Sequence, residues 1–460
     1  MRAFGLDVIN RLFKGDGLKA RSIRSTAVAS TGFIGSNVLR LAGNLVLTRL
    51  LFPEAFGLMA LVQVVLAGLQ MFSDLGVRTS IIQDERGDDP RFLDTAWTFQ
   101  IARGIVLWLA TVALAGPIAN FYDAPMLADL LPVAGLSVLI SGFVSTKIAN
   151  QNRHLRLGKP VLISLAASAI GLVVMIIAAM LTGSVWSLVV GTLVTASINT
   201  IASHLLLDGP SNRLHFEKAA FLKMFGFGKY IFLATLAGFL ANNADRAILG
   251  KFVALDILAF YNIAFFLANV PASLMQAVND KVLFPLYRAK SPGSDSNRRA
   301  DLMRARGLAI AGVLLMAGVA ALIGDLAVRI LYDPPFEQAG PLMVILAVAL
   351  MPRIIFGNYS AFALAAGQSG RFAIYVAAVA TVNTVAIYLG VTNFGVVGVA
   401  LAPLAAAVLL YPLTVWLVRP FDAWMPVLDA ALFIAAFVFA ALALWLNWDA
   451  LSTGLTTFLS

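Results

Sequence analysis

Apolar residues fall in blocks of about 20, the length a helix needs to cross ~30 Å of hydrocarbon, and short polar turns separate these blocks from Thr26 to Leu446. The pattern predicts thirteen membrane-spanning helices, over 26–49, 54–77, 93–116, 126–148, 160–181, 184–206, 224–247, 254–280, 307–329, 338–363, 371–389, 395–417 and 425–446. Leu451 to Ser460 read as the start of a fourteenth that the chain does not complete. The expected fold class is an all-α polytopic membrane protein.

A repeat lies under the hydropathy pattern. Residues 46–62 return in altered form at 248–264, so that Val46, Leu47, Arg49, Glu54 and Phe56 match Ile248, Leu249, Lys251, Asp256 and Leu258. Gly158 and Lys159 open the fifth block as Gly370 and Arg371 open the eleventh, and Gly183 opens the sixth as Gly395 opens the twelfth. The spacing between copies widens midway, and the basic stretch from Lys281 to Arg306 is the expected place for an inserted loop. Six spans per copy give both copies the same orientation, which predicts two parallel-repeat six-helix lobes with a substrate path between them near the midplane. The expected organisation is a cytoplasmic amphipathic, basic tail (1–25), an N-terminal lobe (26–207), a cytoplasmic linker (208–223), a C-terminal lobe (224–418) and additional C-terminal transmembrane segments (419–460).

A chain that is 60% hydrophobic and 12% charged, with mean hydropathy +0.87, is excluded from the soluble globular class. The net charge of +9 reads as topology, because most of the 33 basic residues gather in the amino-terminal tail and on alternate loops. Short cytoplasmic loops collect Lys and Arg, so the amino terminus is expected in the cytoplasm, and nucleic-acid binding is not implied. Phe4, Val8, Ile9, Leu12 and Phe13 among Arg11 and Lys14 suggest a short amphipathic helix on the anionic leaflet, with a frayed basic tail as the alternative. There is no cysteine, the three histidines are scattered, and neither a GxxxxGK[ST] loop nor an HExxH pair occurs. Asp88 and Asp89 read as a solvated loop. No catalytic residue, metal or cofactor is expected, and coupling to H+ or Na+ stays open.

Three arginines, Arg40, Arg103 and Arg353, sit deep in predicted spans. An Arg there costs ~2.5–3.5 kcal/mol on insertion scales and must face a partner or a wet cavity. Either an internal ion pair with Asp74, Asp94 or Asp245, or contact with a ligand, would serve. Arg40 belongs to a stripe, Asn37, Arg40, Asn44 and Thr48, on one face of its helix, and the second copy answers with Asn242, Asp245 and Arg246. The following helices carry Gln63, Gln70 and Asp74 in one copy and Asn262, Asn269 and Gln276 in the other. Such amides can glue helices, but matched stripes favour a hydrated cavity. Guanidinium groups bind phosphate oxygens in pairs, and amides suit sugar hydroxyls. The candidate substrate-binding residues are therefore Arg40, Asn37, Asn44, Asn242, Arg246, Asn262 and Asn269, joined by Arg103 and Arg353. Asp74 and Asp245 are candidates for ion pairing or coupling.

The run TRLLFPEAFGLMALVQVV, followed by LQMFSDLGVRTSIIQDE, resembles the opening helix pair of bacterial polysaccharide transporters, the Wzx-type oligosaccharide flippases, and NNADRAILGKFVALDILAFYN resembles the start of their second lobe. The resemblance implies the multidrug/oligosaccharidyl-lipid/polysaccharide exporter superfamily and its fold. It implies a polyprenyl pyrophosphate carrying a cell-surface repeat unit as substrate, moved from the inner to the outer leaflet of the bacterial inner membrane without covalent chemistry. Membrane lipids, a polysaccharide polymerase and a chain-length regulator are the implied partners. A drug exporter of the same superfamily is the alternative within transport, and a membrane-embedded polymerase or ligase the alternative among enzymes. Members often have fourteen spans, and the arginines of related lipid II flippases do not align convincingly, so Arg40 and Arg246 rest on the stripes alone.

Overall fold

The computed structural model describes residues 18–73, 76–289 and 296–459. The expected amphipathic segment before Leu18, and Asp74, lie outside them. The chain divides into two compact units, one formed by residues up to Leu51 with Val62–Leu236 and the other by Phe52–Leu61 with Ala237–Ser460.

Every regular element among the described residues is helical. The first unit uses α1 (Leu18–Leu47), most of α2 (Pro53–Phe72), α3 (Val77–Gln83), α4 (Pro90–Phe121), α5 (Leu127–Gly142), α6 (Lys147–Arg153), α7 (Gly158–Thr182), α8 (Trp186–Leu205) and the first half of α9 (Lys218–Phe252). The second takes the rest of α9, then α10 (Leu255–Ala268), α11 (Val270–Val278), α12 (Phe284–Ala289), α13 (Ser296–Leu322), α14 (Gly324–Leu331), α15 (Ala339–Phe356), α16 (Ser360–Ala365), α17 (Ser369–Val418), α18 (Pro426–Leu446) and α19 (Trp448–Leu459). Eight of these helices are long and apolar enough to cross a membrane, or ten when the bent pairs α5–α6 and α10–α11 each count as one span. Within the described residues, each of the thirteen apolar blocks is mostly helical. Helices α1 and α9 fall short of that apolarity because they carry the polar stripes, and α17 is two helices merged across Gly395.

Local chemistry sets these boundaries. Asp89 caps α4 by accepting from the Arg91 amide, and Pro90 fills the first turn, where a missing N–H costs nothing. Gly183 (φ 58°) and Gly395 (φ 56°) both take positive φ, which side chains resist, so the turn between the fifth and sixth spans of each copy is built on the same residue. Gly57 in the opening motif is fixed by approach instead, since a Cβ there would collide with the Leu255 carbonyl oxygen.

In the first unit, Val77, Ile81, Phe92, Leu93 and Met224 form a buried cluster under a polar cap. Arg86 reaches Glu217 with two nitrogens at 2.8 Å and Asp89 at 2.7 Å. Asp88 accepts from Asn150 and Arg153 and pairs with the His154 ring. The 208–217 segment is strapped down as well. The Arg213, His215 and Glu217 amides donate to Asp94, Thr98 and Thr95, and Asn212 bonds to Ser145 and Thr146. Hydrogen bonds from His154 hold the Asp88 carboxyl below its usual range, and those from Arg86 do the same for Glu217 and Asp89.

The second unit is organised around α15, in which every residue but Val348 and Arg353 is buried. The expected basic loop from Lys281 to Arg306 is corrected here. Helices α12 and α13 run through its described part, and Arg306 is a fully buried core residue. Its guanidinium donates to Asn358 Oδ1 (2.7 Å), the Tyr359 hydroxyl (2.8 Å), the Ile355 carbonyl (3.0 Å) and Asp429 Oδ1 (2.9 Å), and it lies 3.8 Å from the centre of the Tyr359 ring. Tyr359 also donates to Asp429 Oδ2 at 2.7 Å. This clasp fastens α18 to α13 and α15–α16. Asp429 lies 123 positions from Arg306, and no local spacing announces a pair so far apart.

Candidate functional site

Helix α10 begins shortly after α9 ends, so the two form a tight helical hairpin and side chains 16 positions apart face each other across it. Two rungs result. Tyr261 donates its hydroxyl to Asp245 Oδ2 at 2.8 Å, and Arg246 donates Nε to Asn262 Oδ1 at 2.6 Å. The Arg246 guanidinium also lies 4.7 Å from the centre of the Phe265 ring, a cation–π contact that leaves its outer edge available. The Asp245 rung is buried and the Arg246 rung half-buried.

Asp245 Oδ1 is buried and has no hydrogen-bond partner within the described protein. Arg353, near the carboxyl end of α15, is close enough to Asp245 and Tyr375 to couple to both electrostatically. It is also exposed on a span whose apolar window is 89% buried. Arg353 is thus the one exposed residue of a helix that is otherwise buried or nearly so. The last turn of a helix is favourable to a cation because the backbone carbonyls point that way. The second unit thus assembles Asp245, Arg246, Asn262 and Arg353 from the expected residues and adds Tyr261, Phe265 and Tyr375. The sequence reading missed these aromatics because aromatic positions in spans pass for packing; the equal spacing of Asp245–Tyr261 and Arg246–Asn262 was the available signal.

The remaining candidates are more dispersed. Asn242 Nδ2 donates to the Gly238 carbonyl one turn back, and its own carbonyl oxygen receives Arg246 at 3.4 Å. Asn269 ends α10 and donates to Ser273 at 3.0 Å, so it shapes the 42° bend into α11. In the first unit, Asn37 donates to Phe33 and is half-buried, Arg40 is exposed, and Asn44 is half-buried and accepts from Thr48 through its backbone. These three remain on one face of α1. Arg103 donates to Ser73 Oγ (3.0 Å) and the Gln70 carbonyl (2.5 Å), and thereby ties α4 to the end of α2. Asp94, one of its expected partners, instead receives the Arg213 amide. Among the described residues, no three His, Asp or Glu side chains converge as metal ligands.

Chemically, this cluster of the second unit offers two guanidinium groups, a polarised amide, tyrosine hydroxyls and one half-satisfied carboxylate. Guanidinium and amide groups are the kind of donors that suit an anion with hydroxyl groups.

Comparison with known proteins fits this chemistry into a family. The profile described as "Polysaccharide biosynthesis protein" matches residues 46–341. The Escherichia coli lipopolysaccharide biosynthesis protein WzxC is 23% identical over 341 residues, 72% of this chain and 67% of the relative. The Rhizobium meliloti succinoglycan biosynthesis transport protein ExoT is 21% identical over 72% of this chain and 65% of its own length, and the Bacillus subtilis teichuronic acid biosynthesis protein TuaB 20% over 65% and 62%. The chain thus spans about two thirds of the length of these relatives. In fold, it is similar to the lipid II flippase MurJ in an inward closed conformation (TM-score 0.70, 13% identity, 93% of this chain and 97% of that one). It is also similar to an inward-facing multidrug MATE transporter (TM-score 0.65, 12% identity, 84% and 94%). The two-lobed, all-helical expectation agrees with both. The chain is a multi-pass membrane protein that belongs to the polysaccharide biosynthesis protein family, within the superfamily that contains Wzx-type exporters and shares the MurJ and MATE fold.

Proposed function

We propose that this protein is a flippase that moves polyprenyl-pyrophosphate-linked oligosaccharide repeat units from the cytoplasmic to the periplasmic leaflet of the bacterial inner membrane, by alternating access, for surface polysaccharide synthesis. The observation that carries the reading is Arg353, an exposed guanidinium on an otherwise enclosed span. With Arg246 it supplies paired donors suited to a pyrophosphate. The relatives' names concern three different polymers, lipopolysaccharide, succinoglycan and teichuronic acid. A common scaffold serving unlike sugars favours recognition of a common handle, and the lipid pyrophosphate is such a handle. In this reading Asn242 and Asn262 contact sugar hydroxyls from the second unit, and Asn37, Arg40 and Asn44 contact substrate from the first. Arg103 and Asn269 position helices. Asp245 is the group through which H+ or Na+ would couple. A polymerase and a chain-length regulator would receive the product.

The test is export in cells. Arg353→Ala protein, present in the membrane at normal level, is expected to lose surface-polysaccharide export and accumulate lipid-linked repeat units on the cytoplasmic side, while Arg353→Lys keeps part of the activity. Normal export from well-expressed Arg353→Ala protein would remove the reading's main support. Orientation is tested on the cysteine-free background: a cysteine at Asn120 should react with an impermeant thiol reagent from outside, and one at Arg156 should not.

A further inference from the structure

At the end of the second unit where α17 both starts and finishes, Arg371 in the first turn and Arg419 just past the last meet across Trp416. With Pro412, Val415 and Pro420 they line a groove of about 370 Å³. The Arg371 guanidinium lies 5.0 Å from the centre of the Trp416 ring. No carboxylate lines the groove. Two guanidinium groups with an aromatic wall and no acid form a site for an anion, and the groove's position at the ends of two spans places that anion at headgroup depth.

The helix surface below the groove says what the anion is attached to. Leu401, Ala405, Val408, Leu409, Pro412 and Trp416 fall on one face of the second half of α17, and all are exposed. This apolar stripe runs from the groove along the span. A soluble phosphate has no use for it, whereas an acyl chain does. The first unit has a groove of about 340 Å³ beside Gly158, where α7 starts, lined by Arg24, Ser25 and Arg156 but without an aromatic wall.

We infer that the Arg371–Trp416–Arg419 groove is a binding site for the phosphate headgroup of an anionic phospholipid, with an acyl chain laid along the stripe of α17. The site is separate from the Arg246 and Arg353 cluster and does not depend on which cargo is carried.

The experiment uses the full-length protein purified in detergent and titrated with phosphatidylglycerol or phosphatidylcholine of the same chain length, with bound lipid counted by native mass spectrometry. The wild type is expected to prefer phosphatidylglycerol by on the order of tenfold. The Arg371→Ala/Arg419→Ala protein should lose that preference while keeping its helicity and monodispersity, and Arg371→Lys/Arg419→Lys should keep most of it. Brominated phosphatidylglycerol should quench wild-type fluorescence more than that of Trp416→Phe. Equal binding of the two lipids by wild type, or an undiminished preference in the double Ala protein, would overturn the inference. Displacement of phosphatidylglycerol by millimolar inorganic phosphate would assign the groove to a soluble ion, and selective displacement by polyprenyl pyrophosphate would assign it to the cargo; either result also overturns it.

Discussion

Two charged clusters in the second unit use the same residue types to opposite ends. Around Arg306, every nitrogen of the guanidinium has a partner, both Asp429 oxygens are occupied, and the arginine is wholly buried. Around Arg353, the arginine is exposed, its electrostatic partner Asp245 has one oxygen bonded to Tyr261 and the other to none of the described residues, and Arg246 turns one edge to Asn262. A saturated cluster has no capacity left for a ligand and acts as a fastener. An unsaturated one keeps capacity at the cost of stability, which is where binding is expected. The contrast separates a saturated charge cluster from an unsaturated one within the same unit.

The clasp should give the largest effect when cut. Asp429→Ala leaves a buried guanidinium unpaired, and loss of one partner of such a pair costs about 3–5 kcal/mol. The protein should lose most of its thermal stability and much of its membrane level. Replacing both partners, as Arg306→Met/Asp429→Leu, should restore a large share of it, because the charge is gone as well as the bond. If Asp429→Ala is as stable as wild type, the clasp is not a fastener.

Arg246→Ala is expected to act in the reverse sense. Its cluster is half-open, so thermal stability should change by no more than about 1 kcal/mol, while export should fall at least tenfold. A protein that unfolds instead would place Arg246 with the clasp and erase the distinction drawn above.

How far was this contrast legible in the sequence? The helices were, since apolar blocks of spanning length have few alternatives in a membrane, and Gly183 and Gly395, which match in the sequence repeat, both take positive φ. The Asp245–Tyr261 and Arg246–Asn262 rungs were half legible: Asp245, Arg246 and Asn262 stood out, but the hairpin that pairs them depends on where α9 ends and α10 begins. The clasp was not legible. Arg306 sits in a basic stretch that reads as a loop, and its partners come from α15, the 3-10 turn Gly357–Tyr359 that follows it, and α18. Among the contacts of Arg103, those to Ser73 and the Gln70 carbonyl were not legible either, because neither group stands out in the sequence.

A smaller effect is expected from Tyr261→Phe. It removes the one hydrogen bond to Asp245 Oδ2 and should lower stability by about 1–3 kcal/mol, the cost of an unsatisfied buried acceptor, with expression retained. Denaturation followed by tryptophan fluorescence would measure it. A larger loss would mean that Asp245 is structural rather than functional.

The smallest effect belongs to the polar cap of the first unit. Asp88, Asp89 and Glu217 have lowered pKa values in the folded protein, so their contribution is present above the ordinary carboxylate pKa of about 4 and is lost as pH falls through the lower folded values. These groups are largely solvated, so each pair contributes little. Amide exchange in 208–217 should stay slow from neutral pH down to about 4, after correction for intrinsic rates, and quicken below it. Exchange that quickens between pH 7 and 5 would point to other groups.

The central claim is that the unsatisfied cluster, and not the clasp, meets the anionic end of the cargo. Binding of a polyprenyl-pyrophosphate-linked sugar to the purified full-length protein, measured for wild type, Arg353→Ala and Arg306→Met/Asp429→Leu, tests it most directly. The account predicts that Arg353→Ala weakens binding by at least tenfold, as expected for loss of a charge-assisted pair, and that the double variant binds as wild type does. Equal binding by wild type and a folded Arg353→Ala protein would contradict it.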